Sequence, residues 1–459
     1  MWSSFRLHSH SLCKRQAARF KALLVNMSSL NQGCENWRSR LFAVDANTSL
    51  GIPDPFYFTC ANSSHHLPSL NAQEWPVLAQ GGSAHSVCIT TPQRISAARL
   101  QKALGQKLTQ EVQGGCKVLR LLSYQPQDPY GSLQGGFLVL NALSCPSIQA
   151  KLQDLLGEYK QHIRFCSYQA GTEGGIWQCL WDLNGEGKEI ERCRVLKVEV
   201  PDPSPLVVNI KKSALFYKLE AACSVLQECS TIIPEASEVL KLLKDARKTV
   251  NSEKKFPVIV IEGLDATGKS TLTESLKYSL RAELLKSPPE CISPWRKTFD
   301  TEPTLLRRAY YAVGNYIGAA QIAEAAQMST VIVDRYWHST AAYSIGTEIG
   351  GGVPNLPEYH HEIYQWPSDL LKPDLVILLT VSDEERLVRI RKRGLAETVE
   401  EKELESNRMF RQKIEEAYMR MENPGCIVVD ASASKETVLQ HCKEVLKAIG
   451  SQCKTRAAG

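Results

Sequence analysis

From residue 256 onward, short apolar runs alternate with longer amphipathic stretches. Residues 257–261 (Pro-Val-Ile-Val-Ile) read as a strand buried on both faces, 331–333 as a second and 375–381 as a third. Between them, 269–286 carries helical periodicity, and another helix is expected from Asp383 to Arg393. Strands and helices alternating in this way predict a parallel sheet flanked by crossover helices. The upstream texture differs. Short apolar runs at 118–122 and 136–140 are separated by turn signals such as Gln127-Asp128-Pro129-Tyr130-Gly131 and the glycines at 171, 174 and 175, which predicts a mixed α/β N-terminal domain. The breaker cluster Pro201-Asp202-Pro203-Ser204-Pro205 is followed by Val239, Leu242, Leu243, Ala246 and Val250, the apolar stripe of a helix that begins near Pro234. Polar residues 252–255 then lead into the first strand of the α/β half. These shifts predict a boundary near residue 250, with one domain over 35–250 and another over 251–459.

Composition changes the picture mainly at the start of the chain. Hydrophobic residues are 43% and charged residues 22% of the total, values that exclude a wholly disordered chain. The longest apolar runs are too short to cross a bilayer, so no membrane span is expected. The net charge of +5 first reads as a pull toward anions. Residues 1–34 hold Arg6, Lys14, Arg15, Arg19 and Lys21 and no Asp or Glu, so the whole excess lies there and 35–459 is formally neutral. Ala17, Phe20, Leu24 and Met27 fall on one helical face of this serine-bearing leader, and no uninterrupted apolar core marks it as secretory. The pattern predicts a mitochondrial transit peptide over 1–34 and a destination in the matrix. Outside it and the arginine-rich stretch that runs into Gly394, no basic stripe with interleaved aromatics occurs, so no nucleic-acid partner is expected. The 15 cysteines form no CxxC pair, which argues against a zinc ribbon or a thioredoxin-like site.

The chemistry is concentrated in Gly263-Leu264-Asp265-Ala266-Thr267-Gly268-Lys269-Ser270. The string fits G-x-x-x-x-G-K-[ST] and stands in the setting that motif needs, a strand before it and a helix after it. Its glycines let backbone N–H groups wrap a phosphate, and the helix N-terminus adds a positive dipole end. Lys269 is expected on the β- and γ-phosphates of ATP and the Ser270 hydroxyl on Mg²⁺. Asp334-Arg335 closes a buried strand, where an open α/β sheet binds ligands; Asp334 suits the magnesium shell and Arg335 a phosphate. Arg307 and Arg308 follow Thr301-Glu302-Pro303, placed to grip an acceptor phosphate. Arg386, Arg389, Arg391 and Arg393 recur along the helix that runs into Gly394; they read either as cations closing over the transferred group or as a solvated face.

Taken with Thr271, the phosphate loop resembles that of the thymidylate kinase family. Asp334-Arg335-Tyr336-Trp337-His338-Ser339-Thr340-Ala341-Ala342-Tyr343 resembles the family's DRY-x-x-S-x-x-A-Y segment. Pro373-Asp374, Glu384-Glu385-Arg386-Leu387 and Arg391-Lys392-Arg393-Gly394 resemble its last core strand and lid. Leu285-Lys286-Ser287-Pro288-Pro289, Gly314-Asn315-Tyr316 and Tyr364-Gln365-Trp366-Pro367 extend the likeness to the branch of vertebrate mitochondrial kinases that act on UMP and CMP. The resemblance implies a P-loop NTPase fold and transfer of the ATP γ-phosphate to dUMP, dCMP, UMP or CMP in nucleotide salvage. It also implies Mg²⁺ as cofactor and a homodimer through the kinase domain. It places Asp265 on the acceptor sugar and Tyr343 in the acceptor site. Four positions depart from the family pattern. Thr301, Tyr316 and Ser344 stand where acceptor-pocket residues differ in dTMP kinases, and Ala266 stands where some members carry a catalytic arginine. A cation is still needed on the transferred group, so Arg391 and Arg393 are expected to supply it. A dTMP kinase or a deoxynucleoside kinase is the competing enzyme reading, and a nucleotide-dependent scaffold with little turnover is the competing non-enzyme reading.

Overall fold

Successive side chains of a strand point to opposite faces, and in the first half of the chain that alternation closes into a ring. The computed structural model describes residues 39–45, 55–61, 67–112, 116–142, 148–183, 187–247, 254–393 and 407–456; the 1–34 leader lies outside them. Eight strands form a closed barrel: β1 (Leu41–Asp45), β2 (Phe56–Ala61), β3 (Ser83–Ile89), β4 (Cys116–Tyr124), β5 (Gln134–Asn141), β6 (Ile163–Ala170), β7 (Ile176–Trp181) and β8 (Glu189–Lys197). Their order is β1-β2-β8-β7-β6-β3-β5-β4, all neighbours are antiparallel, and β4 pairs back to β1. Phe42 and Val44, Phe56, Phe58 and Cys60, Leu138 and Leu140, Cys166 and Tyr168, and Cys193 and Val195 occupy every second position and form one apolar filling. Eight strands enclose a space that side chains just fill. Trp75 enters it from the turn before Pro76, with its ring 5.1 Å from Tyr168 and 5.8 Å from Phe56. The intervening residues Val87, Ile89, Val139, Ile163 and Phe165 face outward beneath α1 (Arg94–Glu111) and α2 (Ile148–Leu156), which cover them with Leu104, Leu108, Leu152 and Leu156.

The boundary expected near residue 250 falls instead between Lys212 and Ser213. The first compact unit ends at Lys212 and takes in Ile349–Gly351; the second holds the remainder. The reason lies in α3 (Leu219–Cys229) and α4 (Glu235–Arg247). Their buried stripes, Ala222, Val225 and Leu226 on one and Val239 and Leu243 on the other, belong to helices that pack on α6 (Thr304–Ala325) of the kinase-like unit. The Tyr217 hydroxyl donates to the Ile363 carbonyl (2.6 Å), and the Leu219 N–H donates to the Asp369 carboxylate (2.9 Å).

The second unit is built on a parallel sheet of β9 (Val258–Gly263), β10 (Glu283–Lys286), β11 (Val331–Asp334), β12 (Leu375–Thr380) and β13 (Ile427–Asp430), in the order β10-β11-β9-β12-β13. Its other helices are α5 (Lys269–Leu280), α7 (Trp337–Glu348), α8 (Asp383–Arg393), α9 (Arg408–Arg420) and α10 (Lys435–Arg456). Ile259, Ile261, Ile332, Ile377 and Leu379 from the strands meet Leu272 and Leu276 of α5 and Val438 and Cys442 of α10 in one core. The helix expected over 269–286 stops early. Arg281 takes the left-handed conformation (φ 51°) that caps α5, and the next residues become β10. Residues 397–406 lie outside the described set; α9 beyond them buries Phe410, Ile414, Ala417 and Tyr418. Among the described residues no helix is long and apolar enough to cross a membrane.

Candidate active site

β9, β11 and β12 run side by side, and their carboxyl ends open onto one edge of the sheet, where ligands bind in open α/β folds. β9 enters the phosphate loop at Gly263, which takes φ +141° and sits so close to β12 that a Cβ would lie 2.5 Å from the Leu379 carbonyl oxygen. No larger residue fits there. Ala266 holds φ 66° inside the loop, a left-handed strain of the kind that gathers at ligand sites. The Leu264 carbonyl turns inward and accepts from both the Thr267 hydroxyl (2.9 Å) and the Lys269 ammonium (2.6 Å). Lys269 is buried. Burial chiefly, with Arg335 adding to it, pulls the ammonium down to about 7, against the opposing pull of Asp265, Asp334 and Glu262. A lysine held this way gains most from an arriving polyphosphate.

The Ser270 hydroxyl donates to the Asp334 carboxylate (3.4 Å), so strand β11 and the first turn of α5 bring the two expected magnesium ligands together. Both are hard oxygen donors. They fit a magnesium ion that takes its remaining ligands from nucleotide phosphates and water, and not an all-protein cage.

Across the loop, Arg335 carries φ 65°, donates through Nη2 to Asp265 (2.6 Å) and through Nη1 to the Ser339 hydroxyl (3.2 Å), and lies 5.9 Å from the centre of the Tyr343 ring. Asp265, Arg335 and Tyr343, singled out separately for the acceptor, therefore form one group. Arg307 and Arg308 differ in burial. Arg308 is buried between α6 and α7 and donates through Nη2 to the Tyr343 carbonyl and the Thr347 hydroxyl (3.4 Å each). Arg307 is half-buried, and its Nε has no hydrogen-bond partner among the described residues. Thr301 is exposed and bonds back to the Thr298 carbonyl (2.8 Å), while the Tyr316 hydroxyl is taken by Asp369 (2.6 Å).

Two further features have no role assigned to them from sequence. Ser287, just past β10, donates its N–H to the Asp334 carbonyl (3.1 Å) and its hydroxyl to Asn315 (2.8 Å), and Asn315 donates on to Thr340 (3.0 Å). Reading β10 as the tail of a helix hid this row. Glu262, the residue before the first loop glycine, is wholly buried. It accepts from the Tyr336 N–H (2.8 Å), the Ser339 N–H (3.2 Å), the Ser339 hydroxyl and the Tyr418 hydroxyl (3.4 Å), and burial pushes its carboxyl up. A Glu before the loop and a Ser five residues after the Asp were the available signal.

On α8, Arg389 is spent on contacts with Glu385 (2.8 Å), the Thr267 carbonyl of the phosphate loop (3.4 Å) and the Ala431 carbonyl (2.8 Å). Arg391 is exposed in the last turn, and the side chain of Arg393 lies outside the described set. Arg386 is the unexpected one: only 1% exposed, with no hydrogen-bond partner for any of its three nitrogens among the described residues.

A family model for thymidylate kinase matches residues 261–442. The human protein named UMP-CMP kinase 2, mitochondrial, is 49% identical over 366 residues, which cover 78% of this chain and 81% of that protein. That span exceeds what the second unit alone holds, so the likeness reaches into the barrel unit. A thymidylate kinase of Xanthomonas oryzae is 31% identical over 209 residues, 42% of this chain and 83% of its own. Among solved structures, a thymidylate kinase from Candida albicans aligns with a TM-score of 0.34 at 21% identity, covering 43% of this chain and 93% of its own.

Proposed function

The chain belongs to the thymidylate kinase family, and from that premise we propose that this nucleoside monophosphate kinase transfers the ATP γ-phosphate to the pyrimidine monophosphates UMP, CMP, dUMP and dCMP in mitochondrial nucleotide salvage. One observation carries the reading. Donor-side and acceptor-side groups meet at a single sheet edge, with Lys269, Ser270 and Asp334 on one side and the Asp265–Arg335–Tyr343 group on the other.

Phosphoryl transfer asks little covalent chemistry of the protein; positioning and charge neutralisation do the catalysis. The backbone N–H groups of residues 263–271 and the Lys269 ammonium hold the donor phosphates. When ATP binds, Lys269 exchanges its bond to the Leu264 carbonyl for phosphate oxygens. Ser270 and Asp334 would hold Mg²⁺, which supplies further charge neutralisation on the donor. Arg335, fixed by Asp265 and Ser339, holds the acceptor phosphate with Arg307, and Asp265 takes the acceptor sugar hydroxyl. Arg391 and Arg393 close from the lid and exclude water that would otherwise receive the phosphoryl group. The 1–34 leader directs the protein to the matrix. A homodimer through the kinase unit belongs to the same proposal.

The test is release of ADP from Mg-ATP by the full chain, with each of the common nucleoside monophosphates and each matching nucleoside as acceptor. Turnover with UMP and CMP and their deoxy forms, and none with nucleosides, is the expected outcome. Preference for dTMP overturns the acceptor assignment, and preference for nucleosides overturns the reaction class.

A further inference from the structure

The phosphate loop has alanine at 266, so a cation for the transferred group must come from another element. The expected suppliers, Arg391 and Arg393, sit at the end of α8. One turn or more nearer the sheet, Arg386 has the properties such a cation would need. β12 delivers α8 to the phosphate loop, since Leu379 pairs with Gly263 across the strands and Arg389, one turn beyond Arg386, touches the Thr267 carbonyl. Arg386 is enclosed where α8 meets α9, and Arg411, Asp383, Glu415 and the loop carboxylate Asp265 are the charges that act on it.

None of these neighbours satisfies it. Asp383 is already paired with Arg411 (2.6 Å). Glu415 is pushed toward its neutral form, first by burial and next by Asp383. Arg411 repels Arg386. A guanidinium presents five N–H donors in a planar fork suited to phosphoryl oxygens, and burying it without hydrogen bonds is costly. A fold that encloses such a group beside a phosphate loop, with no acceptor for any nitrogen among the described residues, has left it for a ligand.

We propose that Arg386 binds the phosphoryl oxygens of the nucleotide on the Asp265 side of the phosphate loop, and supplies from inside the site the arginine that the loop itself lacks. This deepens the kinase reading above and rests on it. In the free protein, Asp383 offsets the charge without bonding it; a phosphoryl dianion provides the bonds.

The experiment compares Arg386→Met, Arg386→Lys and Arg391→Ala in the full chain. Tm, kcat and KM with Mg-ATP and CMP are measured, together with the rise in Tm on adding ADP. Removing an unpaired buried charge should leave the Tm of Arg386→Met unchanged or raised. Its kcat should fall by about 10²-fold or more, the scale for one preorganised charge contact. Its ADP-induced rise in Tm should shrink. Arg386→Lys should recover part of the rate, having the charge without the fork, and Arg391→Ala should lose less than Arg386→Met. Wild-type kcat, KM and ADP response in Arg386→Met overturn the proposal. So does a rate loss that follows a falling Tm in both Met and Lys variants with the ADP response intact, because that is the pattern of a purely structural residue. If Arg386→Met does not fold, the Lys variant carries the same readouts. If the wild-type chain phosphorylates no monophosphate, the kinase reading fails, and the ADP response still decides whether Arg386 meets phosphate.

Discussion

Among the described residues, the barrel unit and the kinase unit differ in the kind of buried polar group they leave short of partners: mainly neutral atoms such as Trp75 Nε1 and His85 Nδ1 in the first, and mostly arginine nitrogens in the second. Inside the barrel, the Tyr168 hydroxyl donates to Ser86 (3.0 Å) and accepts from Gln178 (2.8 Å), and on the barrel's outer face Trp181 donates to Ser167 (2.8 Å). Arg40, buried at its edge, is held by the Ser123 hydroxyl (3.1 Å) and by the carbonyls of Ser123 (2.9 Å) and Ser132. The thiols of Cys60, Cys88 and Cys166 are pushed up chiefly by burial, which makes them inert packing groups. At the kinase sheet edge the polar groups are charged and incompletely matched: Lys269 borrows a loop carbonyl, and Arg386 has no hydrogen-bond partner among the described residues. Mutually satisfied polar groups specify a fold, whereas buried cations left short of acceptors mark where a fold meets its ligand.

The widest test of that contrast concerns which residues each unit needs. A chain of 251–459 lacks α3 and α4 and so bares the face of α6 they cover. Val225, Leu226, Val239 and Leu243 are buried, and each such side chain contributes about 1.5–3 kcal/mol. Their sum rivals the roughly 5–15 kcal/mol that keeps a whole domain folded. The 251–459 chain should therefore be insoluble or lack a cooperative melt, while 213–459 should melt cooperatively. Equal melting curves for the two would place the boundary back near 250.

Next in size is Lys269→Ala, which should lose at least about 10²-fold in kcat. Its Tm should hold or rise, because an ammonium that burial has pulled down to about 7 is a cost to the ligand-free fold. A variant with near-normal turnover would remove the phosphate loop from the mechanism. The same depressed pKa gives a proton signature. Above pH 7 the ligand-free lysine is increasingly neutral, and ATP restores its charge, so binding takes up a proton and ATP affinity falls as pH rises from 7 to 9. Calorimetric titration at pH 8 in two buffers of different ionisation enthalpy measures the uptake; none would show that Lys269 stays charged in the free protein.

How much of this was legible in the sequence differs between the units for a physical reason. The central strands β9, β11 and β12 of the parallel sheet are buried on both faces and appear as continuous apolar runs, and the phosphate loop is a local string, so they and Lys269 could be read directly. Barrel strands alternate, and each inward residue has its partner far along the chain, as when Phe42 stacks on Phe58 and Tyr168 meets Trp75. No local window holds that closure. The domain boundary was misplaced because α3 and α4 show amphipathic stripes without showing what they cover. β10 was lost because Lys269 to Lys286 keeps helical character until Arg281 turns left-handed, and Ser287 went with it. Among the arginines of α8, spacing could not separate the buried Arg386 from the exposed Arg391, since that depends on α9.

Glu262 tests whether a satisfied buried charge can also serve the site. Glu262→Gln keeps the shape but offers one carbonyl to four donors. It should cost about 1–3 kcal/mol in unfolding free energy, the usual penalty when buried partners are left unmatched. Because Ser339 also fixes Arg335, KM for the monophosphate should rise more than KM for ATP. A drop in stability with both KM values unchanged would make Glu262 a structural residue alone.

The smallest effect sharpens the other side of the contrast. Tyr168→Phe removes one hydroxyl from the barrel interior and leaves Ser86 and Gln178 without it. The ring stays, with its contacts to Trp75 (5.1 Å) and Phe58 (5.9 Å), so no cavity opens. The expected loss is about 1 kcal/mol in chemical denaturation, the net worth of a neutral hydrogen-bond pair, with no change in kcat or in either KM. If the variant instead lost turnover while keeping its stability, the polar network of the barrel would be part of the catalytic apparatus. The division between groups that specify the fold and groups that meet the ligand would then fail at the place where it is drawn most sharply.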